Sequence, residues 1–322
     1  MYHKKDVEKN IWFINTFNEK CGLYNIQMEL VTVEHFLQMY HETGCLLPDA
    51  VVARMIHPAV SKLLEDEGVR VYNSFRVSNI CNNKAECMRF INSLGIQHIP
   101  TLAISCINGR YVFEQICSDG GERSLKELIE NCFAETCPED DTKPHPSAHI
   151  CEKFVIKSVS GHGGREVMLL SEYFDKYGCS FDDFKPAPAS QEQAAADYFS
   201  DKYVVQPLVE CDGRDLRVYL IGGNIIGAVI RKANGGFKSN FSLGGTVEQY
   251  TLNSGQKSIV NKITDAMDID YGGLDFLVCG ENDELIFNEI EDVVGARMLS
   301  ECSDIDYIEC YVKYIHSCFM NM

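Results

Sequence analysis

The sequence predicts a mixed α/β and α+β fold, and three observations support this prediction. Helical and strand patterns alternate in the N-terminal part, and this order is typical of a parallel sheet with helical crossovers. In the C-terminal half, short apolar strands follow one another through tight turns such as Gly222-Gly223-Asn224, which favour antiparallel pairing. The chain has 322 residues, of which 45% are hydrophobic. At about 150 residues per domain, this length predicts two or three lobes.

The N-terminal elements follow from the spacing of the apolar residues. The pattern predicts a helix over Asp6 to Tyr24, and the alternation over Gln27 to Val33 predicts a strand. A short buried strand over Ala50 to Ala53, a helix over His57 to Glu67 and a strand over Val69 to Asn73 come next. These last three elements form the β-α-β unit of the predicted parallel sheet.

A clear amphipathic helix is predicted over Asn83 to Leu94. Its apolar face includes Cys87, and Gly95 is suited to the position just after the helix end. Two stretches rich in proline and polar residues, Cys137 to His149 and Lys185 to Ser190, are predicted to be surface loops.

Seven later segments have the length and apolar content of strands. They are Phe154–Ser158, Arg165–Leu170, Tyr203–Gln206, Leu216–Ile221, Ile225–Arg231, Leu274–Val278 and Leu285–Asn288. The first two flank a glycine-rich turn, and the glycines between the fourth and fifth predict a hairpin.

Composition and charge argue against several function classes. The net charge of −18 opposes nucleic-acid binding, which depends on clustered Lys and Arg. The 15 cysteines are odd in number and include no C-x-x-C pair, which favours reduced thiols. No run of about 18 apolar residues predicts a membrane span, and the charged N-terminus is unlike a signal peptide. We expect a cytoplasmic protein with no nucleic-acid or membrane partner, and leave a homo-oligomer open.

The turn Gly161-His162-Gly163-Gly164 lies between two predicted strands, just after Lys157. Glycines let backbone N–H groups approach a phosphate closely, although a glycine-rich turn between strands is also how a plain hairpin is built. Lys157 is flanked by Val155 and Ile156, so its ammonium group either faces an anion or lies on a solvated face.

Three carboxylates occur on two predicted strands near the C-terminus. Asp275 lies in GGLDFLV, and Glu289 and Glu291 lie in FNEIED, where a spacing of two places both on one strand face. Such a group repels itself unless a cation is present, and hard oxygen ligands favour Mg²⁺. The alternative is a solvated acidic edge, but Asp275 and Glu289 are embedded in apolar runs.

Two arginines, Arg217 and Arg231, alternate with apolar residues on the strands between these features. Arginine pairs well with phosphate and carboxylate oxygens. The series of lysine, glycine loop, two arginines, Asn240 and three carboxylates, in this order, therefore predicts a nucleotide site with a metal.

This series resembles the ATP-grasp superfamily, most closely the RimK-like carboxylate–amine ligases, over roughly Asn79 to Ile305. Members have a lysine, a glycine-rich loop, a hinge, G-R-D-x-R, R-S-N…G-G and then D and E-x-N. The resemblance implies a small parallel α/β N-terminal lobe followed by two α+β lobes, with mostly antiparallel sheets, that clasp ATP. The lobes would span residues 1–78, 79–206 and 207–322.

The resemblance also implies a role for each matching residue. ATP would be contacted by Lys84, Lys157 and the loop Gly161, His162, Gly163 and Gly164, with adenine at the hinge Gln206, Pro207 and Leu208. The ribose would bind Glu210 or Asp215, and the sequence leaves both open. Arg217, Arg231 and Asn240 would hold the transferred phosphoryl group and the acyl phosphate, and Asp275, Glu289 and Glu291 would hold Mg²⁺, with Mn²⁺ as an alternative.

Two features depart from the family pattern. Glu291 stands where members have asparagine, which adds a carboxylate to the metal site. The chain also begins almost at its first helix, where members have a strand, which puts in doubt the substrate contacts of the N-terminal lobe.

By this resemblance the protein is an ATP-dependent ligase that forms an amide or peptide bond through an acylphosphate. Its partners would be ATP, a carboxylate and an amine, for example glutamate added to a small molecule, peptide or protein. Two alternatives stay open: an ATP-grasp phosphotransferase, and a nucleotide-binding protein without turnover.

Overall fold

The structure is a computed structural model of the chain. It describes residues 1–40, 46–107, 110–116, 154–161, 167–178, 201–209, 211, 213–232 and 246–320. The two predicted surface loops, at 137–149 and 185–190, lie outside the described residues. Among the described residues, no helix is long and apolar enough to cross a membrane.

The first part of the chain packs helices around a two-stranded parallel sheet. The helices are α1 Lys4–Val7, α2 Ile11–Leu23, α3 Val33–Tyr40, α4 Pro58–Asp66 and α5 Phe75–Cys81, with a 3₁₀ helix Glu8–Asn10 after α1. The strands β1 Ala50–Val52 and β2 Arg70–Tyr72 pair in parallel, with α4 as the crossover. The predicted β-α-β unit is therefore confirmed.

The strand predicted over Gln27 to Val33 is wrong. Residues 26–31 have no regular secondary structure, and α3 begins at Val33. The start of this helix is stabilised by Thr32, whose hydroxyl accepts a hydrogen bond from the His35 N–H at 3.2 Å. Val33 and Phe36 are then buried on one helical face, so a spacing of three outweighs the alternation that predicted a strand.

No full strand precedes α1 in the described residues. Met1 and Tyr2 nevertheless lie between two backbone segments: the Tyr2 N–H donates to Val31, and the Arg54 N–H donates to the Met1 carbonyl. The α-amino group of Met1 also donates to the Val52 carbonyl at 2.6 Å. These two residues supply the contacts of a very short strand beside β1.

The middle part of the chain contains the helix α6 Lys84–Ser93 and an antiparallel sheet. Its strands are β3 Thr101–Ile107, β4 Arg110–Ile116, β5 Phe154–Ser158, β6 Val167–Leu169 and β7 Asp201–Pro207, in the order β4-β3-β7-β5-β6, and α7 Leu170–Tyr177 follows β6. The predicted helix over Asn83 to Leu94 is confirmed. Asn83 caps it by accepting hydrogen bonds from the Ala85 and Glu86 N–H groups, and Gly95 follows its end with φ of +60°.

The last part forms a second antiparallel sheet with helices on it. Its strands are β8 Arg214–Ile221, β9 Asn224–Lys232, β10 Thr246–Gln249, β11 Tyr271–Cys279 and β12 Glu284–Glu291, in the order β10-β9-β8-β11-β12. Its helices are α8 Ser254–Thr264, α9 Arg297–Cys302 and α10 Tyr307–Met320. Gly222 and Gly223 join β8 to β9 with φ of +55° and +73°, which confirms the predicted hairpin.

One apolar core connects the two larger sheets. It includes Ile91 of α6, Val204 of β7 and Leu216 of β8, all of them buried. The segment after α6 also joins the second sheet directly, because the Phe287 N–H donates to the Gln97 carbonyl at 2.9 Å. This packing brings β5, which carries Lys157, close to β12, which carries Glu289.

Candidate active site

The register of four neighbouring strands places five charged side chains on one face of the second sheet. Arg217 of β8 lies opposite Asp275 of β11, and Asp275 lies opposite Glu289 of β12. On the other side, Asp215 of β8 lies opposite Arg231 of β9. Residues directly opposite one another in an antiparallel pair have adjacent side chains, so this face pairs each arginine with an aspartate and places Glu289 beside Asp275.

Arg217 and Asp275 form the centre of the cluster. The Arg217 Nε donates to Asp275 Oδ1 at 2.7 Å, and Nη2 donates to Oδ2 at 2.6 Å. Asp275 is 2% exposed and Arg217 6% exposed, so this two-point pair is shielded from water. Burial alone raises the pKa of Asp275, but the charges of Arg217 and Arg231 outweigh it and hold the pKa below its usual value.

Arg231 links the two aspartates of the cluster. Its Nε is hydrogen-bonded to Asp215, and its Nη2 donates to Asp275 Oδ2 at 3.1 Å. Asp215 is buried, and its carboxylate is committed at least to Arg231. If Asp215 is the residue that contacts the ribose, its carboxylate has to give up part of the ion pair with Arg231.

Asp275, Glu289 and Glu291 converge as three potential metal ligands. Each can offer one oxygen such that the three oxygens lie within 4.8 Å of one another. A register shift between Asp275 and Phe276 contributes to this convergence. It leaves Asn288 without a partner residue on β11, so that Glu289 lies opposite Asp275. Burial, together with the charges of Asp275 and Glu289, raises the pKa of Glu291 to about 7, although Arg217 opposes the shift.

This geometry fits a divalent cation. Three oxygens from carboxylates are the ligand type that Mg²⁺ takes, and a bound cation would relieve the repulsion that raises the pKa of Glu291. The alternative of a solvated acidic edge does not describe Asp275, which is buried.

Lys84 and Lys157 meet at the base of the glycine-rich turn. The Lys84 ammonium group is hydrogen-bonded to the Gly161 carbonyl, and its backbone N–H donates to the Val159 carbonyl at 3.1 Å. Burial and the charge of Lys84 lower the pKa of Lys157 to about 8, and the negative charge of Glu289 opposes this shift. Lys157 is a half-buried cation near one of the carboxylates.

The predicted hinge leads from β7 into β8. Gln206 is buried, and its Nε2 donates to the Thr101 hydroxyl at 2.8 Å, so the side chain ties the end of β7 to the start of β3. Pro207 pairs with Phe154 of β5, and Leu208 is half-buried beyond the strand. The hinge backbone is thus anchored by its neighbours.

Several predicted site residues lie outside the described residues. They are His162, Gly163, Gly164, Glu210 and Asn240.

Sequence reasoning missed two residues that shape this face. Gly273 lies between Tyr219 and Glu291 across the sheet, and a Cβ there would come within 2.9 Å of Val294 Cγ2. The pair Gly272-Gly273 inside a strand was the available signal. The second is Arg54, whose Nη2 donates to the Val294 carbonyl at 2.9 Å and which packs between the rings of Phe13 and Tyr271. The contacts of Arg54 are all far away in sequence, and no local pattern indicates them.

Comparisons with known proteins point to one family. The model of the RimK-like ATP-grasp domain matches residues 138–315. The chain is 22% identical to N-acetylaspartylglutamate synthase A of Homo sapiens over 325 residues, which cover 97% of this chain and 73% of that protein. It is 23% identical to beta-citrylglutamate synthase B of Danio rerio over 321 residues, which cover 91% of this chain and 72% of that one.

A solved structure extends the likeness to the fold. The crystal structure of a RimK domain protein ATP-grasp from Sphaerobacter thermophilus superposes with a TM-score of 0.57 and 14% sequence identity, covering 94% of this chain and 93% of that one. At this identity the likeness concerns the fold alone, and it confirms the predicted fold class.

Proposed function

Because the chain belongs to the RimK-like ATP-grasp family, we propose that it joins a carboxylate to an amine through an acylphosphate, at the expense of ATP. The observation that carries this proposal is the convergence of Arg217, Arg231 and three carboxylates on one sheet face, with Lys157 of the neighbouring sheet and Lys84 at the start of α6 close by. Charges of both signs in one shielded cleft suit a reaction between anions that needs a divalent cation.

Asp275, Glu289 and Glu291 are the proposed ligands of Mg²⁺, with Mn²⁺ as an alternative. A cation held there would neutralise charge on the phosphates of ATP. Asp275 is held in place by both arginines, so it would be a fixed ligand, whereas Glu289 and Glu291 are among the last three residues of β12.

Lys84, Lys157 and the turn from Gly161 to Gly164 are the proposed contacts for the phosphates. The carboxylate oxygen of the substrate attacks the γ-phosphorus, a new oxygen–phosphorus bond forms, and ADP leaves. The amine then attacks the acyl carbon, inorganic phosphate leaves, and the amine loses a proton. Arg217, Arg231 and Asn240 are proposed to hold the phosphoryl oxygens in both steps, so no protein side chain acts as a covalent nucleophile.

The remaining assignments keep the predicted layout. Gln206, Pro207 and Leu208 would line the adenine pocket with their backbone, and Glu210 would contact the ribose, since Asp215 is paired with Arg231. Residues 1–78, 79–206 and 207–322 would be the three lobes.

For the substrates, we propose glutamate or a similar amino acid as the amine and a small acid or a peptide as the carboxylate. The names of two relatives support this: one is an N-acetylaspartylglutamate synthase and the other a beta-citrylglutamate synthase.

An ADP-release screen tests the proposal. Pairs of one carboxylate and one amino acid are incubated with ATP and Mg²⁺, and each positive pair is analysed by mass spectrometry. We expect ADP release only when both partners are present, with an amide-linked product of their combined mass less one water. A phosphorylated acceptor with no amide would favour the phosphotransferase, and ATP binding without ADP release over the whole panel would favour the protein without turnover.

A further inference from the structure

All three nitrogens of Arg217 are engaged by carboxylates. Asp275 accepts from Nε and Nη2, and Glu291 Oε2 lies 2.8 Å from Nη1. Of the five N–H groups of the guanidinium, the other two are on Nη1 and Nη2, on nitrogens that already face Glu291 and Asp275. An anionic oxygen of a substrate that approaches Arg217 would therefore meet negative charge from both sides at short range.

Asp275 and Glu291 contribute differently to this arrangement. Asp275 also binds Arg231, is 2% exposed and has a pKa held below its usual value, so it is a permanent partner of the arginines. Glu291 contacts Arg217 through Nη1 and lies at the end of β12, half-buried. Glu291 is the partner that can leave Arg217 without breaking the rest of the cluster.

Glu291 is also one of the three carboxylates that can bind one cation. The same side chain therefore has two competing positions within reach: the guanidinium of Arg217, or a cation shared with Asp275 and Glu289. A cation bound to Glu291 withdraws negative charge from Arg217 and frees its Nη1 edge. Asparagine, the family residue at this position, carries no charge and cannot neutralise Arg217 in this way.

We propose that Glu291 makes Arg217 available to the phosphoryl group only after a divalent cation has bound to the carboxylates. In the cation-free protein Glu291 occupies Arg217; in the loaded protein it ligates the cation. Glu291 is thus a positioning residue that couples the two binding events. This inference rests on the proposed function, because it takes the phosphates of ATP as the anion that Arg217 receives.

The test compares binding of a non-hydrolysable ATP analogue with and without Mg²⁺, by isothermal titration calorimetry at fixed pH. The coupling is the ratio of the two affinities. In Glu291→Gln we expect tighter binding than wild type in EDTA and a coupling ratio smaller by about 5- to 150-fold, the usual range for coupled sites. Glu284→Gln, an exposed carboxylate on the same strand, should leave the ratio unchanged.

A double-variant cycle shows whether Arg217 carries the effect. In an Arg217→Met background, Glu291→Gln should no longer increase the affinity for the metal-free analogue. Its effect there should equal that of the control Glu284→Gln. Thermal unfolding of every variant excludes loss of the fold, and Glu291→Asn supplies a second variant if Glu291→Gln is unstable.

The outcomes separate the coupling from the function. Equal coupling ratios in wild type and Glu291→Gln overturn the coupling, while the proposed function stands. The coupling is also overturned if Glu291→Gln tightens metal-free binding as much without Arg217 as with it. A wild-type protein that binds the analogue under neither condition overturns the proposed function, and the coupling with it.

Discussion

Two clusters of buried charge lie along strand β11, and they differ in how their charges are balanced. Near the start of the strand, Arg70 of β2 binds Asp270 Oδ1 at 2.5 Å, and the Tyr314 hydroxyl donates to the same oxygen at 2.6 Å. We name Arg70, Asp270 and Tyr314 the Arg70 cluster. In the middle of the strand, Asp275 shares two arginines with further carboxylates; we name Asp215, Arg217, Arg231, Asp275, Glu289 and Glu291 the site cluster.

In the Arg70 cluster the charges balance, since it contains one arginine, one carboxylate and one neutral hydroxyl. Burial dominates there and raises the pKa of Asp270 to about 6, despite Tyr314 and Arg70. The site cluster has two arginines for four carboxylates. The arginines hold the pKa of Asp275 below its usual value, whereas burial and then the charges of Asp275 and Glu289 raise the pKa of Glu291 to about 7. An excess of negative charge in a buried site is unfavourable unless a ligand balances it. The Arg70 cluster, which has no such excess, therefore suits a role in folding, and the site cluster suits ligand binding.

The largest expected effect is on folding, from Arg70→Met. This change leaves Asp270, 1% exposed, without its cation. Because the Arg70 side chain is itself 31% exposed, we expect the lower end of the cost of breaking a buried pair, about 3 kcal/mol. Urea unfolding should show this loss, while ADP formation per folded molecule stays at the wild-type level. The double variant Arg70→Met/Asp270→Leu should recover most of the stability. A loss of turnover in the folded single variant would contradict the separation of the two clusters.

At the proposed active site, removing one charged side chain should lower the rate of ADP formation without lowering the stability of the fold. Glu289→Gln is expected to lower ADP formation about 100- to 1000-fold, the usual effect of removing one electrostatic contact at a reacting centre. Its unfolding midpoint should stay or rise, since one of three repelling carboxylates is removed. Lys157→Ala should likewise abolish ADP formation. Glu284→Gln on the same strand is the control, and wild-type turnover in both site variants would refute the assignment.

The pH dependence of nucleotide binding follows from Lys157. Its pKa of about 8 lies below the ordinary 10.5, so the folded protein releases this proton at a lower pH than the unfolded chain does. Affinity for the metal-free ATP analogue should fall by about tenfold per pH unit above pH 8, because only the protonated amine attracts phosphate. Over the same window the free energy of unfolding should rise with pH, relative to Lys157→Met. A flat affinity profile from pH 7 to 10 would exclude Lys157 from the phosphate site.

The smallest effect is expected from Arg54→Met. It removes one hydrogen bond to the Val294 carbonyl, worth about 1 kcal/mol, and loosens the turn after β12 that packs on Gly273 beside Arg217. Amide exchange in residues 292–296 should quicken, and turnover should fall a few-fold. Arg76→Met, which removes an exposed contact to the Ala266 carbonyl, is the matched control. Equal exchange in both variants would show that Arg54 does not fix this turn.

The sequence was sufficient for the family, fold class and enzyme class, which are confirmed, because the order of the motifs along the chain is itself specific. It also predicts the helix over Asn83 to Leu94, where the capping residue Asn83, the apolar face and the terminating Gly95 all agree. It failed for Gln27 to Val33, where a helix start at Thr32 outweighs the alternation. The β3–β4 pair and the three helices after β10 were not predicted.

The sequence predicts only part of the candidate site. Residue types and order identified Arg217, Arg231, Asp275, Glu289 and Glu291, and the structure brings them together. Which arginine faces which carboxylate depends on the register of β8 against β11. It sets Arg217 opposite Asp275, 58 positions further along the chain, and no local pattern encodes it. The roles of these residues stay predictions. The same limit hid Arg54, whose partners come from three separate parts of the chain.

The central claim is that a carboxylate is activated by phosphorylation and then joined to an amine. The most direct measurement uses the first active pair from the ADP-release screen, with ¹⁸O in the substrate carboxylate, and follows the label by mass spectrometry. The account predicts one ¹⁸O atom in the inorganic phosphate for each amide formed. Amide formation with unlabelled phosphate, or label retained in a phosphorylated product without an amide, would contradict it.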